Sequence, residues 1–318
     1  WIHPACEWRT AKVRDPADLY ELRPPTEVAG SVMLVVLDGF VDAGSTGSQT
    51  ADALFAEDGA EEIATFDIDR LLDYRSRRPV MTFVENAYTD YTPPKLALYR
   101  LRDNEGTPFL LLHGLDPDRE WEAFAAAVRD LVERLSVELT VLVHGIPMAV
   151  PHTRPSTVTA HATRPELVAE HTPWIGRVAV PASAASLLEF RLGEAGHDAI
   201  GYAVHVPSYL AQSEYPRAAI AALDHIAGAT GLAVSGARLE ESAQETDDEI
   251  GKQVAASEEV QRVVSNLEQQ YDDIMSARGG TGDADALLSG DETALPTAEE
   301  LGAELERYLA DRERGAEG

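Results

Sequence analysis

Apolar and polar positions along the chain follow two rhythms. Short continuous apolar runs rich in β-branched residues read as strands covered on both faces, and Val32–Leu37 is the clearest. Further runs predict strands at Glu62–Phe66, Val80–Val84, Leu96–Leu101, Pro108–Leu112, Leu139–Val143, Val178–Val180 and Ala199–Val206. Between them apolar residues recur at helical spacing. Trp121, Phe124, Ala125, Val128, Leu131, Val132 and Leu135 share one face of a helix opened by Asp116-Pro117. Ser183–Leu192, closed by Gly193 and Gly196, and Pro216–Ala229 read as two more helices. Asp15-Pro16 starts a short one, and Ile68–Tyr74 is a brief helical turn. Asp103–Gly106 is a turn that joins its flanking runs into a hairpin, an element expected at a sheet edge or in an oligomer contact. Asn86–Pro94 and the long Pro-rich stretch Ile146–Trp174 read as irregular.

Strand and helix alternate in this way as far as Ser235, which predicts an α/β domain over residues 1–235. The rhythm then changes. From Ala237 to about Ala277 no strand pattern occurs, and Val260, Val264, Leu267, Tyr271 and Ile274 recur near heptad spacing, as in one long helix or a helix pair. A Gly-, Asp- and Ser-rich linker follows at about 279–295. A last helix starts after Pro296 with a Thr297/Glu300 capping box and a stripe of Leu301, Leu305, Tyr308 and Leu309. Residues 236–318 thus form an acidic helical extension that must dock on the core or on another subunit.

The formal net charge of −29 over 318 residues excludes a nucleic-acid surface and attraction to anionic membranes. The single cysteine, Cys6, excludes a disulfide framework and a Cys-ligated zinc, and fits a reducing cytoplasm. No stretch is long and apolar enough for a transmembrane helix, and no signal peptide is visible, so a cytoplasmic location is expected. No H-E-x-x-H or G-x-S-x-G motif occurs, and neither a metal nor a cofactor is expected.

Chemistry is expected where strands end. The strand at Val32–Leu37 runs into Asp38-Gly39 and then a Gly-containing loop, with Ser45 or Thr46 opening a helix. In an open α/β sheet this places loop residues Asp38, Gly39, Asp42, Gly44, Ser45 and Thr46 beside a helix N-terminus that can hold an anion. The spacing is neither a P-loop nor G-x-G-x-x-G, and the alternative is a tight turn that only packs helix on sheet. Glu85, His113, His144 and His205 also stand at or near predicted strand ends and are the candidate acid/base residues. For each of them the alternative is a polar residue that marks where a strand leaves the core. Arg75–Arg78 is a basic island, either a solvated loop or a carboxylate clamp.

Three stretches carry a family resemblance. They are LDGFVDAGSTGSQTADAL, the loop from His144-Gly145-Ile146-Pro147 to His152-Thr153-Arg154-Pro155, and VPASAASLLEFRLGEAG followed by VHVPSYLAQSEYPRAAIAALDHIAGATGL. Their order and spacing resemble the proteasome assembly chaperone two-like family in its actinobacterial branch, from about Gly30 to Leu232, and the acidic helical tail resembles that branch too. The resemblance implies a three-layer α/β/α core of the purine nucleoside phosphorylase and peptidyl-tRNA hydrolase type. It also implies a hairpin used in oligomerisation and a C-terminal helical part that can cover the pocket. Eukaryotic relatives help assemble proteasome α rings, whereas the bacterial members have no settled activity. Family chaperones can insert a C-terminal hydrophobic-Tyr-any-residue tail into a proteasome pocket. This chain instead ends Arg314-Gly315-Ala316-Glu317-Gly318, with Tyr308-Leu309 internal.

The combined expectation is a homo-oligomer, a trimer included, whose other partners are proteasome components or a small-molecule ligand. Its pocket at the strand ends would be bordered by the Asp38–Thr46 loop, His113, His144, the His152–Arg154 loop and His205, and capped by the acidic helices. The reading leans to a non-enzymatic interaction or ligand-binding protein. The alternative is a phosphorylase- or hydrolase-like enzyme in that pocket.

Overall fold

The computed structural model describes residues 15–23, 31–39, 42–56, 59–173 and 177–279. Cys6, most of the linker and the last helix lie outside the described residues. The strands are β1 (Tyr20–Leu22), β2 (Val32–Asp38), β3 (Glu61–Phe66), β4 (Met81–Val84), β5 (Ala87–Tyr91), β6 (Leu96–Arg102), β7 (Pro108–Leu115), β8 (Leu139–Met148), β9 (Val158–Ala162) and β10 (Asp198–Pro207). The α-helices are α1 (Thr46–Phe55), α2 (Ile68–Leu71), α3 (Trp121–Arg134), α4 (Ala184–Glu194), α5 (Pro216–Thr230), α6 (Glu240–Ala255) and α7 (Glu258–Gly279).

One eight-stranded sheet, in the order β1-β3-β6-β7-β2-β8-β10-β9, forms the middle layer. β7, β2, β8 and β10 run parallel, while β1, β3 and β6 on one side and β9 on the other are antiparallel to their neighbours. β2 alternates strictly. Met33, Val35 and Leu37 enter a core shared with α3 and α4, and Val32, Leu34 and Val36 enter a second core shared with α1 and α5. Both cores are apolar, so the apolar run of β2 has no polar face, and each fully buried Val or Leu contributes roughly 1.5–3 kcal/mol. Helices on both faces of a mixed sheet make the expected three-layer α/β/α architecture.

Several elements depart from the sequence reading. The hairpin β6–β7 is real, but it lies third and fourth in the sheet rather than at an edge, because β7 pairs with β2 along its other side. The segment read as loop after Glu85 is strand β5, which pairs only with β4. Val178–Val180 is not a strand; it lies exposed with no ladder partner. The irregular stretch after Val143 contains the rest of β8, as far as Met148, and all of β9. β9 buries Val158 fully and Ala160 and Ala162 partly against the α5-side core, a period-two pattern hidden among Thr and His. The helical region after Ala237 is a pair, α6 and α7, broken at Ala256-Ser257, and Val264, Leu267 and Tyr271 form the buried seam of α7. On α6, Ile250 is buried in the α5-side core.

The β4–β5 hairpin is exposed on every residue. It carries Val80 (76%), Phe83 (57%) and Tyr88 (70%) to solvent, with the Phe83 and Tyr88 rings edge to face at 5.0 Å. An isolated two-stranded hairpin of this length is marginal in water.

Candidate functional site

Strand alternation divides the sequence-predicted site residues between the two faces of the sheet. Asp38 on β2 and His113 on β7 share the α1/α5 face with Val36 and Leu111. His144 on β8 and His205 on β10 point to the α3/α4 face, on the parity of Leu142 and Ala199. Glu85 joins neither group. It occupies the β4–β5 turn with φ of 52°, exposed, because Val80–Val84 projects from the sheet instead of entering it.

On the α1/α5 face, the His113 ring Nδ1 lies 2.9 Å from the Val36 carbonyl, which only accepts, so this nitrogen carries the proton. The ring also stands edge-on to Phe55. Asp38 sits at the end of β2. Burial raises its carboxyl above the ordinary range, nearby His113 pulls it back down, and Asp42 and Asp52 raise it further. His113 thus stands near enough to Asp38 to act on its carboxyl across the same face of the sheet. Arg77, from the basic island, closes this end of the sheet. Its guanidinium donates to the Asp38 carbonyl at 3.3 Å and to the Asp116 carbonyl, and it pairs with the Asp118 carboxylate at 2.6 Å. The basic island does clamp a carboxylate, and that carboxylate is the protein's own.

The loop after exposed Gly39 is also self-filled. The Asp42 carboxylate accepts from the Gly47 and Ser48 backbone N–H groups at 2.7 and 3.2 Å, at the N-terminus of α1. The anion expected at that helix start is thus supplied by the chain. Gln49 Nε2 donates to the Gly44 carbonyl at 2.7 Å, and the Thr46 hydroxyl donates to the Ala43 carbonyl at 2.6 Å. Gly44 takes φ of 68°, and the next residue, Ser45, is left-handed too at 50°. The loop lies so close to β8 that a Cβ on Gly145 would stand 2.1 Å from the Ala43 carbonyl oxygen.

On the α3/α4 face, His205 is fully buried. Its two ring nitrogens meet the Thr157 and Thr159 hydroxyls at 2.9 and 2.8 Å, so both are engaged within the protein. Burial, with a smaller push from His161, drives His144 down to about 4. His161 and Glu189 were not among the sequence candidates. The His161 ring Nδ1 lies 2.9 Å from Glu189 Oε1, and the ring lies flat over Gly201, where a Cβ would come within 1.9 Å of its Cε1. The signal for His161 was its parity in β9, legible only once that strand is recognised; the reach to Glu189 on α4 is a tertiary fact.

His152 and Arg154 come together elsewhere, at a cleft of about 610 Å³ between the 152–156 loop, α5 and α6. The Tyr209 hydroxyl accepts from the His152 backbone N–H at 2.9 Å and meets its ring Nδ1 at 2.6 Å, and burial lowers the affinity of that ring for a proton. Arg154 forks onto Asp272 of α7, with Nε at 2.8 Å and a terminal nitrogen at 2.7 Å, and reaches Glu268 at 3.3 Å. The Thr153 hydroxyl donates to Glu268 at 2.5 Å, and the Tyr271 hydroxyl donates to the Pro155 carbonyl at 3.2 Å. In the cleft wall, burial pushes the Tyr215 phenol up to about 12. Among the described residues no group of three or more His, Cys, Asp or Glu is placed to hold a metal ion, and no helix is long and apolar enough to cross a membrane.

Known proteins place this arrangement. No protein among those with curated functions matches the chain. A Mycobacterium tuberculosis protein of unknown function, Rv2714, is 47% identical in sequence, with a TM-score of 0.77 over 82% of this chain and 91% of its own. A Corynebacterium glutamicum protein of unknown function is 40% identical, with a TM-score of 0.76 over 81% and 97%. A Mycobacterium tuberculosis proteasome-assembly chaperone homologue, Rv2125, shares the fold at 24% identity, with a TM-score of 0.68 over 73% and 99%. The PAC2 family model matches residues 36–254, from the end of β2 through the cleft and most of α6. On that span and order of elements, the chain belongs to the PAC2 family.

Proposed function

We propose that this protein is a homo-oligomeric interaction protein of the proteasome-assembly-chaperone type, acting in the cytoplasm, in which the β4–β5 hairpin makes the contact between subunits. The observation that carries the reading is the hairpin's composition. Phe83, Tyr88, Val80 and Met81 are exposed on an element that pairs with nothing else among the described residues. Contiguous apolar exposure of this kind marks an interaction surface. A second copy is the simplest partner, because its own hairpin offers the same apolar side chains. Proteasome components remain the partners proposed from the family. In this reading residues 1–235 are the core, and the acidic extension from residue 236 caps the His152–Arg154 cleft.

Light scattering behind size-exclusion chromatography tests the contact. The full chain should elute as an oligomer, and Phe83→Asp with Tyr88→Asp should reduce it to a monomer with unchanged circular dichroism. A monomeric wild type, or an oligomer indifferent to both changes, overturns the reading. The enzyme alternative draws support from one observation, the nearness of Asp38 and His113 on one face of the sheet close to the strand ends. It requires an activity that His113→Ala removes.

A further inference from the structure

Three rings meet on the α5 side of the sheet, away from the residues considered above. Tyr202 stands on β10 and faces the α5-side core. His225 stands on α5, and His171 on the loop after β9, where Leu167 and Val168 pack against the same core. The ring centres lie 5.2 Å apart for Tyr202 and His225, 5.7 Å for His171 and Tyr202, and 5.9 Å for His171 and His225. Among the described residues only one of their polar side-chain atoms has a partner. His225 Nδ1 lies 2.8 Å from the Ala221 carbonyl, which only accepts, so this nitrogen carries the proton and Nε2 keeps its lone pair. The His171 ring makes no hydrogen bond among the described residues, and burial, with a further push from His225, lowers its affinity for a proton. Tyr202 is only 3% exposed, yet its hydroxyl has no partner among the described residues. A buried hydroxyl left unpaired is costly, so its state here asks for an acceptor or donor from outside the chain.

Two neighbouring imidazoles with open nitrogens are metal ligands in waiting. The carbonyl on His225 Nδ1 is the kind of outer contact that fixes the tautomer and presents Nε2 to an ion. With a metal–nitrogen bond of about 2.0–2.1 Å, two imidazoles on one ion have centres roughly 5–6 Å apart, and the His171–His225 spacing falls in that range. Magnesium and calcium take oxygen ligands, whereas imidazole suits zinc, copper and nickel. Glu170, close enough to raise the affinity of His171 for a proton, adds negative charge beside the pair. Two protein nitrogens make an open site, whose remaining positions fall to water. We propose that His171 and His225 together bind one divalent d-block cation, with zinc as the reference ion, and that the Tyr202 hydroxyl hydrogen-bonds a water on that ion. This binding does not depend on the hairpin contact, so the two readings fail separately.

The test is calorimetric titration of the full chain with zinc chloride, with magnesium chloride at matched ionic strength as the control for the acidic surface. His171→Gln and His225→Gln each remove one ligand from a partly exposed position, and unchanged circular dichroism shows that the variants fold. His197→Gln, on a histidine that faces Glu133 instead, controls for zinc held by imidazoles elsewhere. The expected result is one saturable zinc site per chain, weakened about tenfold or more by His171→Gln and by His225→Gln, unchanged by His197→Gln, and not occupied by magnesium. Tyr202→Phe should weaken it by a smaller factor, about three- to tenfold, for the lost hydrogen bond to the bound water. Three results overturn the proposal: no saturable zinc binding, binding that survives either ligand substitution, or magnesium in place of zinc at the same site. Unchanged affinity in Tyr202→Phe overturns the role given to its hydroxyl.

Discussion

His144 and Asp38 stand on adjacent strands of one sheet, β8 and β2, yet the fold treats them in opposite ways. On the α3/α4 side burial holds the His144 imidazole neutral. On the α1/α5 side burial favours the protonated, neutral carboxyl of Asp38, and His113 offsets only part of that. Desolvation penalises the charged form on both faces. Because one group is a base and the other an acid, the two faces answer a change of pH with opposite signs. A row of polar strand ends is thus not one site: the pleat sorts the row into two, and each half has its own electrostatics.

The largest expected effect comes from acid on the His144 side. The folded ring titrates near 4 and the ordinary value is 6.5, so between these the unfolded chain binds the extra proton. That contribution is complete above about pH 6.5 and is lost as pH falls toward 4, at a cost of about 3 kcal/mol. Urea unfolding followed against pH should show this slope, and His144→Gln should flatten it. Asp38 runs the other way. Its carboxyl is raised, so its contribution is present below the ordinary carboxylate range and lost as pH rises through it. Asp38→Asn should therefore stabilise the protein at pH 7. Equal acid slopes in wild type and His144→Gln would break the comparison.

A smaller effect is expected from Gly201→Ala, which drives a methyl group into the His161 ring and should cost about 2 kcal/mol in unfolding free energy. The loss should coincide with disappearance of the His161–Glu189 contact in the imidazole NMR spectrum. The smallest concerns the other face. Asp42→Ala uncaps α1 and should cost about 1 kcal/mol, read from the same urea curves. A cost near that of Gly201→Ala would mean that the Asp42 loop does more than cap.

The core of this fold was legible where burial on both faces leaves no choice of residue. β2, α3, α5 and the parallel β8 and β10 follow directly from Val32–Leu37, the Trp121–Leu135 stripe, Pro216–Ala229 and the two later apolar runs. β5 and β9 were not legible. β5 has no core to face, so nothing selects apolar residues on one side of it, and β9 alternates through small Ala residues that also suit a loop. The site was legible only as residue types at strand ends. Ile146–Trp174 reads as irregular, yet β8 continues into it as far as Met148, which leaves His144 in mid-strand. The occupant of the α1 N-terminus could not be read either, since Asp42 stands outside the usual capping position and reaches it only through the left-handed turn at Gly44 and Ser45.

The strand order carries a consequence for synthesis. β2 emerges before both of its partners, β7 and β8: Met33 pairs with Leu110 and Val32 with Leu139. The most apolar strand of the protein must therefore wait, unpaired, until much of the chain has been made. β6 and β7 are joined by a short turn and can close on each other first. The nascent chain then offers β2 a ready edge on β7, and arrival of β8 seals the other side. Until that moment Val32–Leu37 is a sticky segment, and the growing polypeptide is most exposed to aggregation between completion of β2 and completion of β8.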